Sequence, residues 1–211
     1  MCFTVKHISG ENKRSGPFSL MKWKRPAVLI SYMIYGIISS ANRNLWRYCM
    51  EIWDLYDVDR TVIGEHIRGE KLPANSYHLV VHVWIKNSQG KYLMSQRAKS
   101  RPTFPLMWEC VGGSVLKGES SLQGALRETQ EEVGVSLSAQ NGKLLFSNIR
   151  KQFNDIVDVW LFTYDGNVSL KNATTDEVEQ TIWLDRNEII RLKQENELVD
   201  TLDYFFDMVD I

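Results

Sequence analysis

At 211 residues, 44% hydrophobic and 24% charged, the chain is globular in composition and has room for one ordinary domain plus extra sequence at one end. A net charge of −1 excludes a basic field for holding a nucleic-acid polymer, so a small anionic substrate has to be met by metal ions or local Lys and Arg groups. The cysteines Cys2, Cys49 and Cys110 show no CxxC or Cys/His metal spacing, which argues against a disulfide framework or zinc site and fits a cytoplasmic location.

In chain order, residues 1–49 stand apart as an extension. Met1 to Gly16 is polar and aperiodic; Lys22, Lys24, Arg25 and Pro26 then precede the apolar run Ala27 to Ser39. Those 13 residues fall short of the roughly 20 that a membrane span needs. The segment is expected to be disordered or a mis-assigned start, with translation beginning at Met50. A short anchor or signal through residues 22–41 is the rival reading, and a folded extension the third.

From Met50 the pattern turns to short strands. Ile52 to Tyr56 and Thr61 to Ile67 read as two strands around the turn Asp57 to Arg60. Tyr77 to Ile85, rich in β-branched and aromatic residues, reads as a buried strand, with Lys91 to Arg97 as its hairpin partner. Trp108 to Val111 is a further strand, expected to end at Gly112-Gly113. Ser120 to Val133 is the first helix, and Lys143 to Ile149, Val157 to Tyr164 and Glu179 to Trp183 are strands. Helices are expected at Arg186 to Glu195 and Val199 to Met208. Strands around a central helix, with more helix at the end, predict an α/β sandwich on a mixed sheet in a domain spanning residues 50–211.

The chemistry is expected on the first helix. Ser120 with Gln123 makes a capping box and Gly134 a C-terminal cap. Leu122, Ala125, Leu126, Thr129 and Val133 form one stripe that must face the core. Glu128, Glu131 and Glu132, at i, i+3 and i+4, gather on another face, where Gly124 is expected to leave room for a ligand. Like charges about 4 Å apart repel by roughly 4 kcal/mol at an effective dielectric near 20. A glycine-rich loop, Gly112-Gly113-Ser114, and a further acid, Glu119, precede the helix. Hard oxygen ligands so placed suit Mg²⁺ or Mn²⁺.

The run Gly113, five residues, Glu119, seven residues, then Arg127-Glu128-Thr129-Gln130-Glu131-Glu132-Val133-Gly134-Val135 resembles the Nudix box. Thr129 departs from it, standing where that family usually has an aliphatic residue. The flanking sequence, from Met50 to about Phe205, is similar to Nudix proteins of isopentenyl-diphosphate-isomerase-like character. The resemblance implies a Nudix-type α/β/α sandwich and a metal-dependent hydrolase. Its substrate would be a small organic diphosphate with a nucleoside as the expected organic part. It implies Glu128, Glu131 and Glu132 as metal ligands, with the Gly112 carbonyl as an extra one, Glu119 assisting and Arg127 holding the glutamates by ion pairing. A further acid is expected from the loop before the last strand, where Asp176, Glu177 and Glu179 lie and Glu177 is favoured. The expected partners are the substrate alone, with no nucleic-acid polymer and no membrane; a homodimer through exposed N-terminal strands is open.

Two rival functions compete with the hydrolase. Isopentenyl diphosphate isomerases use a cysteine shortly after a Trp-containing strand. Here Trp108-Glu109-Cys110-Val111-Gly112 lacks their Cys-Gly-His arrangement, and Cys110 reads as a small buried residue. A non-catalytic nucleotide sensor would typically have lost a glutamate, and all four are present. His78 and His82 lie about 13 Å apart along a strand, too far for one ion, and are expected to pack in the core, with a place lining a substrate cleft as the alternative. Arg97, Lys99 and Arg101 are expected to be solvated surface charges. Trp53, Trp84, Trp108 and Trp160 are read as core rather than as base-stacking surfaces.

Overall fold

Strand β3 (Tyr77–Lys86) organises the sheet, as its apolar, β-branched sequence requires. The computed structural model describes residues 51–208, so the 1–49 extension and everything expected of it lie outside the described residues. β3 runs parallel to β8 (Asp155–Thr163) from His78 to Lys86 and antiparallel to β6 (Val111–Ser114) over Val80 to Val83. It also meets β1 (Ile52–Tyr56), whose outer neighbour is β2 (Val62–Ile67). β7 (Gly142–Arg150) flanks β8. A tight turn, in which Asn87 Oδ1 accepts from the N–H of Gln89 and Lys91, leads to β4 (Tyr92–Arg97). β4 in turn pairs with β5 (Trp108–Glu109) and β9 (Val178–Leu184). The sheet is therefore mixed, as expected.

Helices cover both faces. On one, α1 (Ser121–Val133) packs Ala125 and Val133 against Leu79, Val81, Val83 and Ile85 of β3. On the other, α2 (Arg186–Gln194) and the short α3 (Tyr204–Asp207) place Ile189 and Phe205 against Trp84, Met94 and Val159. Each such side chain, fully buried, contributes roughly 1.5–3 kcal/mol of transfer free energy. All four tryptophans singled out above are in or against the core: Trp84 is fully enclosed and stacks on Phe205 with ring centroids 4.4 Å apart.

The β1–β2 turn is fastened across the molecule. Arg60, in the left-handed region at φ 61°, sends its guanidinium to both oxygens of Asp158 on β8, at 2.7 and 2.5 Å, and to Ser147. Asp158 is fully buried. That burial works against its charge, but the bonds from Arg60, Ser121 and Ser147 outweigh it and hold the carboxyl below its ordinary pKa.

Two elements differ from expectation. The expected strand from Trp108 to Val111 is split at Cys110 into β5 and β6, and β6 runs on past Val111, with Gly112 and Gly113 in register with His82 and Val81. Side chains would be refused there, because a Cβ on Gly112 would come within 2.5 Å of the Val81 carbonyl. The expected helix from Val199 to Met208 is broken into a 3₁₀ turn at Asp200–Leu202 and α3. The reason lies just upstream, where Trp108 N–H donates to the Glu197 carbonyl (2.7 Å) and Val199 N–H to the Trp108 carbonyl (3.0 Å). This short parallel bridge holds the chain extended before a helix can start.

Candidate catalytic and metal-binding site

The helix that carries the acids is capped at both ends as its sequence requires. Ser120 Oγ accepts from Gln123 N–H, and Gln123 Oε1 accepts from Ser120 N–H. Gly134 takes φ 69°, and a Cβ there would also strike Asn172 and Ala173 at 2.7 Å. Thr129 fits the buried stripe because its hydroxyl donates to the Ala125 carbonyl (2.8 Å), so no polar group is left orphaned. Gly124 behaves differently from the expectation. It is buried, and a Cβ there would come within 2.9 Å of Val115, so the missing side chain seats a core valine rather than a ligand.

Arg127 is the centre of the acidic face. Its Nε and Nη2 donate to the two oxygens of Glu119 at 2.9 and 3.0 Å, and Nη1 donates to Glu128 and Glu131 at 2.9 Å each. Nη2 also donates to the Ser114 carbonyl (2.8 Å), which ties the helix to the end of β6. Burial opposes the Arg127 charge, but the surrounding carboxylates more than offset this and raise its pKa further. Glu119 is held from its other side by Leu116 N–H (3.0 Å). One cation therefore relieves much of the repulsion among three acids.

Glu132 stands apart from that cluster. It is buried, and its carboxyl accepts from Gly112 N–H at 3.3 Å. Burial, with added repulsion from Glu109 and Glu128, pushes its pKa well above the usual carboxylate range. Burial also pushes Glu128 up to about 7, against the pull of Arg127. Gly113 makes room for that side chain, since a Cβ would overlap the Glu128 carboxylate at 2.3 Å. Among the described residues no three of these acids meet in an arrangement that grips an ion: Glu128 and Glu131 turn to Arg127, and Glu132 turns to Gly112.

Glu177, just before β9, is brought to the same region. The Glu131 carbonyl at the helix end accepts from Thr174 N–H and Thr175 N–H at 3.0 and 3.2 Å and from the Thr175 hydroxyl at 3.1 Å, which fixes the incoming loop. Glu177 pairs with Arg101 at 2.5 Å, and its charge adds to the pressure on the Glu132 pKa. Asp176 and Glu179 are exposed.

Glu109 was not visible as a site residue in the sequence. It sits on β5, and burial raises its pKa even though Arg97 Nη1 donates to it at 2.6 Å. Arg97 and Arg101 are thus half-buried partners of Glu109 and Glu177, not solvated charges. The available signal was the spacing of two arginines ahead of a strand glutamate, which acquires meaning only once β4 and β5 are paired.

Beyond Gly112 and Gly113 the site opens into a small pocket of about 100 Å³, walled by Val80, His82, Glu109, Cys110, Thr201 and Leu202. His82 Nδ1 lies 2.7 Å from Tyr204 Oη, which also accepts from Trp84 Nε1 (3.1 Å). Burial, reinforced by Arg150, lowers the His82 pKa to about 3, so the ring is neutral. Cys110 is buried with its thiol pKa raised, chiefly by that burial, which is the reverse of a reactive thiolate. His78 instead stacks on Trp53 at 4.3 Å, away from His82.

The family model described as the NUDIX domain matches residues 76–205. An uncharacterized Nudix hydrolase of Listeria monocytogenes is 36% identical over 159 residues, covering 74% of this chain and 91% of that protein. Another from Streptomyces coelicolor is 30% identical over 151 residues, covering 70% and 76%. A crystal structure from Deinococcus radiodurans superposes with a TM-score of 0.59 at 24% identity over 71% of this chain and 92% of its own, a likeness of fold.

Proposed function

The chain belongs to the Nudix hydrolase family, whose members act on pyrophosphate bonds, and from that premise we propose that it hydrolyses a phosphoanhydride bond in a small organic diphosphate with Mg²⁺ or Mn²⁺ as cofactor. One observation carries the reading: a buried glutamate, Glu132, stands without a cationic partner beside a cluster whose other acids share a single arginine. Burial disfavours the charged form of that carboxyl, and a bound cation would offset the cost. The donor set of Glu128, Glu131, Glu132 and the Gly112 carbonyl is all oxygen, which suits these ions rather than zinc.

When bound there, the ion would supply an activated water and screen the phosphate charges. The chain's own residues do the rest. Arg127, fixed to Ser114 and Glu119, sets the rotamers of Glu128 and Glu131, the residues that would hold the ion. Glu131 and Glu177 are the acids assigned to accept the proton of the attacking water. Each is held by an arginine, Glu131 by Arg127 at 2.9 Å and Glu177 by Arg101 at 2.5 Å, so either must loosen that pair to take the proton. The nucleoside nature of the substrate and a cytoplasmic location belong to the same proposal. Among the described residues no helix is long and apolar enough to cross a membrane.

The test is a screen of nucleoside diphosphates, nucleoside diphosphate-sugars and dinucleotides with Mg²⁺ and Mn²⁺, scored by which product keeps each phosphate. Metal-dependent release from at least one of them is expected. Calorimetry that finds no uptake of either ion, with or without such ligands, removes the proposal.

A further inference from the structure

Glu177 is suspended between two anchors. On one side the Glu131 carbonyl accepts from Thr174 and Thr175, which ties the loop to the end of α1. On the other, the turn that follows β4 grips the residue twice. Ala98 N–H donates to the Glu177 carbonyl (2.8 Å), and Arg101 Nη1 pairs with Glu177 Oε1 at 2.5 Å. Arg101 N–H donates to the Ala98 carbonyl (3.0 Å), so both grips belong to one compact turn. That turn is fastened to Arg97, whose Nε donates to the Thr103 carbonyl (2.9 Å) and whose main chain bonds to Leu106 and Met107.

The form of the Arg101 contact sets it apart. Arg150 closes on Asp155 as a fork, Nε to Oδ1 at 2.8 Å and Nη2 to Oδ2 at 2.7 Å, and Arg60 likewise engages both oxygens of Asp158. Arg101 meets one oxygen of Glu177 with one nitrogen, and its Nε, though enclosed, has no partner. Glu177 Oε2 is left outside the pair. An acid that had only to be neutralised would gain from the fork, whereas one that accepts a proton needs an oxygen in reserve.

Resting on the hydrolase reading above, we infer that Arg101 is a positioning residue, which aims the reserve oxygen of Glu177 at the carboxylate site to receive the proton of the attacking water. The water oxygen bonds to phosphorus as the anhydride P–O bond breaks, the leaving phosphate keeps the electron pair, and the proton passes to Oε2. Protonation removes the carboxylate charge, so the contact at Oε1 slackens then and tightens once the proton is released to solvent. Arg101 touches neither water nor substrate. Its contribution is orientation of the acceptor, which enters the chemical step rather than substrate affinity.

The experiment offers ADP, UDP-glucose and NAD⁺ to the full chain with Mg²⁺ and carries forward the one that wild type turns over fastest. Glu177→Gln is expected to lower kcat about thirtyfold. Arg101→Met should lower kcat about tenfold with KM within about twofold, and Arg101→Lys, which restores a cation, should return to within about threefold of wild type. The double variant Arg101→Met with Glu177→Gln should be no slower than Glu177→Gln by more than about twofold, because the arginine acts only through the glutamate. Calorimetric uptake of Mn²⁺ alone should be unchanged by Arg101→Met. Arg101→Gln, which keeps a donor without the charge, takes the place of the methionine variant if that one does not fold. Unchanged kcat in Arg101→Met, a raised KM with kcat kept, losses that multiply in the double variant, or lost Mn²⁺ uptake overturns the inference while leaving the hydrolase standing. No metal-dependent turnover of any of the three compounds by wild type overturns the hydrolase reading and this inference with it.

Discussion

The two faces of the sheet are built on different rules. Under α1 the buried core is mostly aliphatic, with Leu79, Val81, Val83, Ile85, Ala125 and Val133 packed together and Tyr77 and Phe162 as its buried aromatics. Under α2 and α3 it is aromatic and partly polar: Trp84, Tyr92 and Phe205 stack and meet edge-on, and Trp84 and His82 bond to Tyr204. The mostly aliphatic face seats the acidic helix, whose glutamates bond to Arg127 and to the β6 backbone. The aromatic face holds oriented groups at a pocket edge, which small aliphatic side chains cannot do. On the function proposed above, the face under α1 is the one that would serve bond cleavage.

That division breaks or sharpens under five substitutions. Phe205→Ala removes the ring that stacks on Trp84 and meets Tyr92 edge-on, and should cost about 3–5 kcal/mol in urea unfolding. A small cost would mean the aromatic face is not a packed unit. Glu131→Gln and Glu132→Gln should each lower turnover at least about a hundredfold, or roughly 2.7 kcal/mol of barrier, with the melting temperature kept. Near-normal rates in both would take chemistry away from the α1 face altogether. Asp158→Asn should destabilise by about 1–3 kcal/mol at neutral pH, since it removes bonds from a charged donor to a buried acceptor. The folded carboxyl titrates below its ordinary 3.8, so its contribution is complete above that value and fades as pH falls through the folded pKa. The gap between wild type and variant should therefore close in strong acid, which denaturation at several pH values reads directly. Gly113→Ala should move the Glu128 carboxylate and lower kcat about tenfold while leaving stability nearly unchanged, because the far end of a flexible side chain yields before the strand does.

The legible parts of the fold share a cause. The ends of α1 could be read because both caps are local: Ser120 with Gln123, and Gly134 in a backbone region that disfavours other residues. The strands of the sheet emerged to within a residue or two, since burial imposes a composition on β3 and β8 that turns do not have. What escaped depends on partners distant in sequence. Glu109 and Arg97 look ordinary until the β4–β5 pairing joins them, and the break before α3 arises from the Trp108 bridge to Glu197 and Val199. Gly124 was misplaced for the same reason, as nothing in the helix announces that Val115 will fill the gap. The clustering of Glu119, Glu128 and Glu131 on Arg127 was legible in outline from helical spacing, whereas the separate burial of Glu132 against Gly112 was not.

The Arg60–Asp158 fastening joins residues 98 positions apart. During synthesis at roughly 5–20 residues per second, the tip of the first hairpin leaves the ribosome some 5–20 seconds before its acceptor exists. For that interval the guanidinium has only water to answer it, and β2 hangs as an unguarded sheet margin. The nascent domain is thus most exposed to stray pairing at its first hairpin, and that exposure ends only when the distant aspartate emerges.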